Sequence, residues 1–479
     1  MTMDSKKFYI TTTLPYVNAE PHIGFALEIV QADAIARYHK LLGEDVVFNF
    51  GTDEHGQKIY DKALAEGKNP QAYCDEYAAK FDSLKKALNL SYTNFIRTTD
   101  PKHEKAAQEF WKLCDKNGDI YKKLYKTKYC VGCELEKTDS ELVDGKCPLH
   151  PNKEIEIIEE ENYFFKFSKY QKPLLEFYKK NPDFVVPEGK YNEIRTFVEG
   201  GLQDFSISRL KSKMPWGVPV PNDPDQVMYV WFDALVNYIS TLDWPQEENK
   251  FKDFWPGVQV AGKDNLRQQT AIWQAMLMSA SLPNTKQVFI HGFVTLNGQK
   301  ISKSTGNTIN PIELVEKYGT DAVRYFLLAK LHPYEDSDFS YDKFEEAFNG
   351  ELANGIGNLV SRIAKLCENS GFEFPIAPGT EWKLDENIAK FLDIYRFDEA
   401  IKYIFENYIA KLDQDINKTE PWKLTGDELN NFLKKAVDTI RDISLNLYPF
   451  IPDTATKIDD LFKGPKIKSG EPLFPRLAK

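Results

Sequence analysis

The chain opens with a period-two hydrophobic pattern that soon changes to helical spacing. Positions 8–13 read FYITTT, an alternating run that predicts a strand, and the following Leu14-Pro15-Tyr16 would end it. Until Gly43, apolar residues then recur at the spacing of one helix face, at Phe25, Ile29, Ala32 and Ala36. The run VVFNF at 46–50 predicts the next, buried strand. Strand, helix and strand at this spacing predict a βαβ unit and therefore a parallel sheet.

Further sheet character is predicted beyond position 220. The runs VMYVWF at 227–232, VQVAG at 258–262 and QVFIHGFV at 287–294 are typical of buried strands, and Asn297-Gly298 is a strong hairpin signal. Between about 116 and 220 the composition changes to a cysteine cluster, an acidic run and aromatic strand-like segments. This change indicates an insertion that splits the α/β domain. From about 345 onwards the pattern is amphipathic and helical.

Composition places the chain among ordinary globular proteins. Of its 479 residues 42% are hydrophobic and 28% are charged, and 61 basic against 72 acidic residues give a net charge of −11. A nucleic-acid partner would have to meet local basic patches, because the overall field is negative. The uncharged run 268–285 cannot span a bilayer, because it contains Gln, Ser, Asn and Pro. The N-terminus lacks the apolar segment of a signal peptide. We therefore expect a cytoplasmic protein without a membrane partner.

A cluster of metal-ligand residues lies within the expected insertion. Cys130 and Cys133 are followed, after thirteen residues, by Cys147 and His150, so two paired arms supply three thiolates and one imidazole. This spacing is typical of a closed tetrahedral zinc site, and four protein ligands would make the zinc structural and not catalytic. The alternative, a group of unrelated free thiols, fits the spacing poorly. Six cysteines in a chain of this size are too few for a disulfide framework.

Two short motifs could bind phosphate. Pro21-His22-Ile23-Gly24 stands where the first strand gives way to a helix, whose N-terminal N–H groups suit an anion. Lys300-Ile301-Ser302-Lys303-Ser304 follows the hairpin signal, and its lysines and hydroxyls could close over a polyphosphate. Alone, the first motif also fits a capping or packing histidine, and the second also fits a solvated loop. Together they resemble the two ATP motifs of class I aminoacyl-tRNA synthetases.

The order of the motifs narrows this resemblance to the methionyl-tRNA synthetase family. The motifs of the α/β part are LPY at 14–16, GTDEHG at 51–56, YVWFDA at 229–234, GKD at 262–264 and KISKS at 300–304. The zinc motif lies in the insertion, as in that family. The helical part adds ANGIGNLVSR at 353–362 and KTEPW at 418–422, which resemble the family's anticodon-binding domain. The resemblance covers nearly the whole chain.

The resemblance implies an α/β fold in which a Rossmann-like parallel-sheet catalytic domain is split by a zinc-bearing insertion. An all-α helical-bundle anticodon-binding domain would follow it. The implied boundaries are 1–115 and 221–299 for the two catalytic halves, 116–220 for the insertion, 300–345 for the KISKS loop and stem-contact region, and 346–479 for the helical domain. Because no C-terminal tRNA-binding or dimerisation appendix is evident, we expect a monomer.

The resemblance also implies a role for each motif residue. The residues expected to act in catalysis are His22, Lys300 and Lys303. The residues expected to bind ATP are His22, Gly24, Asp264, Lys300, Ser302, Lys303 and Ser304. The residues expected to bind methionine are Leu14, Tyr16, Asp53, Arg209, Trp231, Ala234, Tyr238 and Gln269. The residues expected to read the anticodon are Asn358, Arg362 and Trp422.

Each role has a plainer alternative. Asp53 would hold the ammonium group of the amino acid, with Arg209 keeping it ionised, but a structural salt bridge would look the same in the sequence. The apolar members of the methionine set would surround a thioether, or form ordinary core. Trp422 could stack on an unpaired base, or it could be buried core. Asn358 and Arg362 would read base edges, or be solvated surface.

The implied reaction is the ligation of methionine to its tRNA. The carboxylate of L-methionine would attack the α-phosphate of Mg-ATP, giving methionyl-adenylate and pyrophosphate, and the terminal ribose of methionine tRNA would then attack the adenylate carbonyl. The implied cofactors are one structural zinc and magnesium bound with ATP. The implied partners are methionine tRNA, L-methionine and ATP.

Two departures from the family pattern keep other functions open. Phe25 stands where the ATP motif usually has its second histidine, and Gln269 stands where the amino-acid pocket usually has one. An amide can replace one hydrogen bond of an imidazole but not its charge. The alternatives are another class I synthetase for an apolar amino acid, the cysteine enzyme, or a catalytically silent tRNA-binding paralogue.

Overall fold

The first part of the chain builds one half of the central sheet. The computed structural model describes residues 6–133, 135–137, 139–301, 308–375 and 384–477. The elements of this part are β1 (Lys7–Thr12), α1 (Ile23–Leu41), β2 (Asp45–Thr52), α2 (Gln57–Ala65), α3 (Pro70–Asp82), α4 (Leu84–Ala87), β3 (Asn94–Arg97) and α5 (Pro101–Lys116). Asn69 caps α3 by accepting from Gln71 N, and a proline stands in the first turn of α3 and of α5, where no N–H is needed.

The insertion is built around a long antiparallel hairpin. Its elements are β4 (Ile120–Cys130), β5 (Leu135–Lys137), β6 (Ile155–Phe165), α6 (Gln171–Lys180), β7 (Val185–Val186), α7 (Glu188–Glu199), β8 (Phe205–Ser206), β9 (Ser208–Leu210) and β10 (Pro219–Val220), and β11 (Asp223–Met228) follows just beyond position 220. Strands β4 and β6 pair along their whole length. The acidic run lies on β6, where Glu159 pairs with Lys126 at 3.0 Å. Pairing with a lysine on the neighbouring strand therefore compensates part of the negative charge of this acidic run.

The chain then returns to the central sheet. The elements here are α8 (Val230–Ala234), α9 (Asn237–Ser240), α10 (Glu248–Phe254), β12 (Val258–Gly262), α11 (Trp273–Ser279), β13 (Gln287–His291), β14 (Val294–Leu296) and β15 (Gln299–Lys300). The expectation of a parallel-sheet strand at 227–232 is wrong. β11 ends at Met228 and pairs antiparallel with β9 and β10, and α8 begins two residues later. A short apolar run fits a buried strand and a buried helix equally well, so periodicity could not separate them.

Six parallel strands form the central sheet, in the order β3-β2-β1-β12-β13-β7. Chain order runs outwards on one side of β1 and resumes at β12 on the other side, so the strand order reverses between β1 and β12. Ligands of such sheets bind outside the carboxyl ends of the strands at this reversal. The edge strand β7 comes from within 116–220, so the expected insertion also contributes to the sheet. A two-residue strand is too short for a pattern to predict.

The remaining described chain is mostly helical and includes one short strand. Its elements are α12 (Pro311–Tyr318), α13 (Thr320–Ala329), β16 (Ser337–Phe339), α14 (Tyr341–Ala347), α15 (Asn358–Ser370), α16 (Glu386–Asp393), α17 (Phe397–Ile404), α18 (Ala410–Thr419), α19 (Gly426–Leu447) and α20 (Pro452–Phe462). The predicted helical character after about 345 is confirmed for the described part. None of the helices in the described ranges has the length and apolar composition needed to cross a bilayer.

Two apolar cores cover the two faces of the sheet. One runs without a break from α1 into the helical region and includes Ile29, Phe326 and Ile440. The other lies beneath α5 and the insertion and includes Phe110 and Phe165. The helical region is therefore packed directly against the α/β part of the molecule.

Arg324 of α13 is a buried charge between these two parts. Its side chain is fully buried, and its guanidinium pairs with Asp33 of α1 at 2.8 Å. It also donates to three backbone carbonyls, Phe450 O at 2.8 Å, Pro449 O at 3.1 Å and Leu88 O at 3.1 Å. The turn between α19 and α20 is thus bonded to a side chain of α13 that also pairs with α1 of the α/β part.

Candidate active site and metal centre

His22 forms the N-cap of α1. Its backbone is extended, and its ring Nδ1 accepts from Gly24 N at 3.1 Å. Because Nδ1 accepts, the proton of the neutral ring is carried by Nε2, which is left as a donor. A Cβ added to Gly24 would lie 2.9 Å from His22 Cε1, so this close approach requires glycine. Phe25 stacks on the imidazole with ring centroids 4.3 Å apart.

A cavity of about 200 Å³ opens at the reversal point of the sheet, beside His22. It is lined by His22 and Gly24 of the first ATP motif and by Asp264 of the GKD motif. Ile301 also lines it, so the KISKS segment begins at the edge of the cavity. The backbone of Lys300 ends β15, whereas Ser302, Lys303 and Ser304 lie outside the described residues. The structure thus brings three of the seven predicted ATP residues to one cavity.

Glu28, which the sequence analysis missed, is a buried carboxylate at this cavity. Its Oε1 accepts from Thr13 N at 2.8 Å and from Thr13 Oγ1 at 2.6 Å, directly after β1. Its Oε2 accepts from Gly262 N at 3.1 Å, at the end of β12. An acidic residue among apolar neighbours near the start of α1, four positions after the HIG motif, was the signal that could have identified it.

His291 at the end of β13 contacts the same carboxylate. Its Nε2 lies 3.0 Å from Glu28 Oε2, and its Nδ1 lies 2.7 Å from Gly292 O. Burial alone would lower the pKa of His291, but the hydrogen bond and the negative charge of Glu28 outweigh burial and raise it above the ordinary value. Both ring nitrogens therefore face acceptors, which suits the protonated imidazolium.

The segments that carry Tyr16 and Asp53 lie side by side beyond β1 and β2. Asp53 N donates to Pro15 O at 3.0 Å, and Val17 N donates to Asp53 O at 3.2 Å. Trp231 of α8 donates from its indole N–H to the Tyr16 hydroxyl at 3.2 Å. Three residues predicted to bind methionine from distant segments therefore meet here.

Tyr238 and Gln269 are buried behind this group. Burial raises the pKa of Tyr238 far above its ordinary value; its contact with the Gln269 side chain lowers the pKa, whereas the negative charges of Glu28 and Asp53 raise it further. Gln269 lies in a π-helical turn, Gln268–Ile272, just before α11. Single π-helical turns are frequent at functional sites.

The remaining residues predicted to bind methionine differ in how deeply they are buried. Leu14 and Ala234 are half-buried. Arg209 donates to Ser206 Oγ and Ser208 O, both at 2.8 Å, and its guanidinium lies 4.5 Å from the centre of the Tyr229 ring. These contacts leave the proposed action of Arg209 on Asp53 as a prediction.

A buried ion pair that the sequence did not predict joins two of these segments. His55 Nδ1 lies 3.1 Å from Asp233 Oδ2, and both side chains are buried. Burial opposes protonation of His55, but the charge of Asp233 raises the pKa of the histidine. His55 is two residues after Asp53 and Asp233 is two residues after Trp231, so the pair fixes these two parts of the site relative to each other.

The four predicted metal ligands converge in the insertion. One ligand atom from each of Cys130, Cys133, Cys147 and His150 lies within 4.8 Å of all the others. Measured contacts are 3.3 Å for Cys133 Sγ to Cys147 Sγ, 3.2 Å for Cys133 Sγ to His150 Nδ1 and 4.0 Å for Cys130 Sγ to His150 Nδ1. Ligands about 2.3 Å from a tetrahedral ion lie roughly 3.7 Å apart, so this cluster fits a zinc ion. A Cβ on Gly132 would lie 2.4 Å from the His150 ring, which explains the glycine.

The predicted anticodon residues lie in the helical region. Asn358 is exposed at the start of α15, and Arg362 pairs with Asp413 and donates to Asn417 at 3.1 Å. Trp422 lies in a short 3₁₀ turn, Pro421–Lys423, and is 56% exposed. The alternative that Trp422 is buried core is therefore wrong, and its ring is available for stacking.

Comparison with known proteins identifies close relatives. The family model described as "tRNA synthetases class I (M)" matches residues 8–156 and 149–364. The chain is 41% identical to the methionine–tRNA ligase of Thermotoga maritima over 98% of this chain and 80% of that protein. It is 42% identical to the methionine–tRNA ligase of a Nostoc species over 95% of this chain and 89% of that protein. The crystal structure of Mycobacterium tuberculosis methionyl-tRNA synthetase bound by methionyl-adenylate superposes with a TM-score of 0.91 at 33% identity, covering 98% of this chain and 100% of that chain.

Proposed function

Because the chain belongs to the methionyl-tRNA synthetases, a class I family, we propose that it activates L-methionine with ATP and transfers the methionyl group to the 3′-terminal adenosine of methionine tRNA. One observation carries this proposal. The N-terminus of α1, with His22 and Gly24, and the carboxylate of Asp264 face one cavity at the reversal point of a parallel sheet.

In the first step the methionine carboxylate attacks the α-phosphate of Mg-ATP and pyrophosphate leaves. The protein supplies positioning and charge stabilisation for this displacement. The N–H groups at the start of α1 and Nε2–H of His22 would donate to phosphate oxygens. Asp264 would accept from the ribose hydroxyls. Lys300 and Lys303, with the hydroxyls of Ser302 and Ser304, would stabilise the leaving pyrophosphate.

Methionine would bind between the LPY segment and α8. Asp53 would hold the ammonium group, with Arg209 favouring its ionised form. Leu14, Tyr16, Trp231, Ala234 and Tyr238 would surround the thioether, whose sulfur packs well on aromatic rings. Gln269 would contact the pocket through its buried amide, in place of an imidazole.

In the second step a ribose hydroxyl of the tRNA attacks the adenylate carbonyl, and AMP leaves. The region 300–345 would contact the acceptor stem. The helical domain, 346–479, would read the anticodon through Trp422 stacking and the side chains of Asn358 and Arg362, because unpaired bases expose both faces and edges.

Zinc and magnesium would complete the active protein. Cys130, Cys133, Cys147 and His150 would hold one zinc ion, whose four protein ligands leave it a structural role. Magnesium would enter with ATP and neutralise part of the phosphate charge. The proposal includes a monomeric, cytoplasmic enzyme.

Methionine-dependent exchange of pyrophosphate into ATP tests the first step, with leucine, isoleucine and cysteine as competing substrates. Charging of methionine tRNA tests the second step. Exchange that prefers one of the other amino acids would refute the assignment of methionine. Binding of methionine tRNA without exchange by any amino acid would instead favour a silent paralogue, the alternative motivated by Phe25 and Gln269.

A further inference from the structure

The carboxylate of Glu28 is saturated with donors from the ends of three strands. It accepts from Thr13 after β1, from Gly262 at the end of β12 and from His291 at the end of β13. Both oxygens therefore have two donors, close to the full capacity of a carboxylate. A buried charge with this many partners is costly to disturb and fixes the groups that surround it.

The groups that Glu28 fixes are walls of the ATP cavity. Thr13, Gly262 and His291 all line it. A Cβ on Gly262 would lie 2.9 Å from Asp264 Oδ1 and 3.6 Å from His291 Cε1, so the predicted ribose acceptor rests directly against this glycine. Movement of Gly262 would consequently move Asp264.

His291 can donate to Glu28 and to Gly292 O at the same time only when both ring nitrogens carry protons. Nε2 faces Glu28, and Nδ1 faces the carbonyl oxygen of Gly292, at 3.0 and 2.7 Å. A neutral imidazole has one N–H and would have to give up one of these contacts. The imidazolium satisfies both and also neutralises the buried carboxylate.

We propose, resting on the ATP-binding role assigned above, that Glu28 and the imidazolium of His291 form a positioning pair that fixes the adenosine end of the ATP site. Their side chains are only 9% and 6% exposed, so they act by holding Thr13, Gly262 and Asp264 and not as catalytic residues. The pair links α1, which begins at His22, to the strand ends that would hold the ribose.

The charges around His291 favour its protonated, imidazolium form. Glu28 approaches from α1, and Asp264 adds negative charge from the segment after β12. Lys263 points to Asp336 instead, at 2.6 Å, and His22 is a further titratable group that lines the cavity. The support that His291 gives is complete below about pH 6.5, the ordinary histidine value, and is lost as the pH rises through the higher pKa of the folded protein.

The test measures ATP dissociation constants by calorimetry on the full chain, without methionine, between about pH 6 and pH 9. Glu28→Gln replaces one acceptor oxygen with a donor NH2 group and removes the charge, so Thr13 N or Gly262 N loses its acceptor, and ATP binding should weaken about tenfold or more. His291→Gln keeps an amide donor towards Glu28 but cannot ionise, so it should weaken binding less and lose the alkaline decline shown by the parent. Free ATP changes its own protonation with pH in the same way in every measurement. The ratio of a variant's dissociation constant to that of the parent therefore reports only the contribution of the protein.

His39→Gln is the matched control. His39 lies in the last turn of α1, at the end away from the cavity, and pairs with Glu44 at 2.7 Å. Replacing His39 should therefore leave ATP binding unchanged. Methionine binding should stay within about twofold of the parent in all three variants.

Parental ATP affinity in both cavity variants, or an equal loss of methionine affinity, would overturn the proposal. If Glu28→Gln does not fold, the ATP affinity of His291→Gln and its dependence on pH are sufficient to test the proposal. A parent that binds ATP as described but exchanges no pyrophosphate with methionine would refute the proposed function and leave this inference standing.

Discussion

The indole N–H of Trp231 donates to the hydroxyl of Tyr16 at 3.2 Å, across 215 residues of sequence. The bond joins the segment after β1 to α8, and both residues are proposed to face the methionine side chain. Their mutual orientation therefore sets one wall of the pocket.

Trp231→Phe should raise KM for methionine about three- to tenfold and leave KM for ATP unchanged, because it removes one hydrogen bond and keeps an aromatic ring. Tyr16→Phe removes the acceptor of the same bond. Kinetics of pyrophosphate exchange for both variants and for the double variant check this. Fully additive losses would show that the bond does not orient the pocket.

Gln269→His should alter the balance between methionine and homocysteine, because it exchanges an amide at the pocket for a group that can ionise. Competitors that differ by one methylene are separated by only ~1–3 kcal/mol in an apolar pocket, so homocysteine should be activated measurably by the parent. The measurement is exchange with each amino acid. Unchanged kinetics with both would exclude Gln269 from the pocket.

Lys303→Ala should slow adenylate formation about 10²–10³-fold and change methionine affinity little, because the lysine charge acts on the departing phosphates. Pyrophosphate exchange and equilibrium methionine binding give the two quantities. Lys317→Ala, at an exposed lysine on α12, serves as a control for loss of charge alone. Exchange at the parental rate would remove Lys303 from the proposed mechanism.

Purified protein should contain one zinc per chain, and Cys130→Ser or Cys147→Ser should lose the metal and loosen the insertion. Cys367→Ser is the matched control, since this thiol is buried in the helical region and outside the cluster. Elemental analysis measures the zinc content of the protein, and limited proteolysis measures how well ordered the insertion is. A carefully prepared parent without zinc would contradict the assignment.

Trp422→Ala should lower charging of methionine tRNA and preserve pyrophosphate exchange. Loss of one stacking platform costs ~1–3 kcal/mol of recognition, and the exposed ring makes little contribution to stability. Leu64→Ala removes another exposed apolar side chain, 55% accessible, on α2 and outside the regions proposed to contact the tRNA, and should leave charging unchanged. Charging at the parental level, or a joint fall of charging, exchange and melting temperature, would refute the anticodon role.

The sequence predicted the parts of the site that belong to contiguous motifs. His22 and Gly24 could be placed at a helix N-terminus, and Asp264 at a strand end, because each lies where its own hydrophobic pattern stops. The carboxyl ends of parallel strands share one edge, and in the structure these motifs meet at one cavity there. The zinc cluster followed from ligand spacing alone.

The pairs between distant segments could not be predicted in the same way. Glu28 and His291 are 263 residues apart, and His55 and Asp233 are 178 apart. Each looks like an ordinary polar residue until the fold places its partner beside it. The mistaken strand at 227–232 has a related cause, because only the tertiary surroundings decided between strand and helix there.

The carbonyl groups of Pro449 and Phe450 bear on the modularity of the molecule. They accept hydrogen bonds from Arg324, whose charge is completely removed from water. A chimera that replaced the segment from α19 onwards with that of a distant relative would leave two donors of this buried guanidinium without acceptors unless the incoming chain placed the same turn against α13. The remaining bonds, to Asp33 and Leu88 O, would persist, so the match at this one turn is expected to set how much stability such an exchange costs.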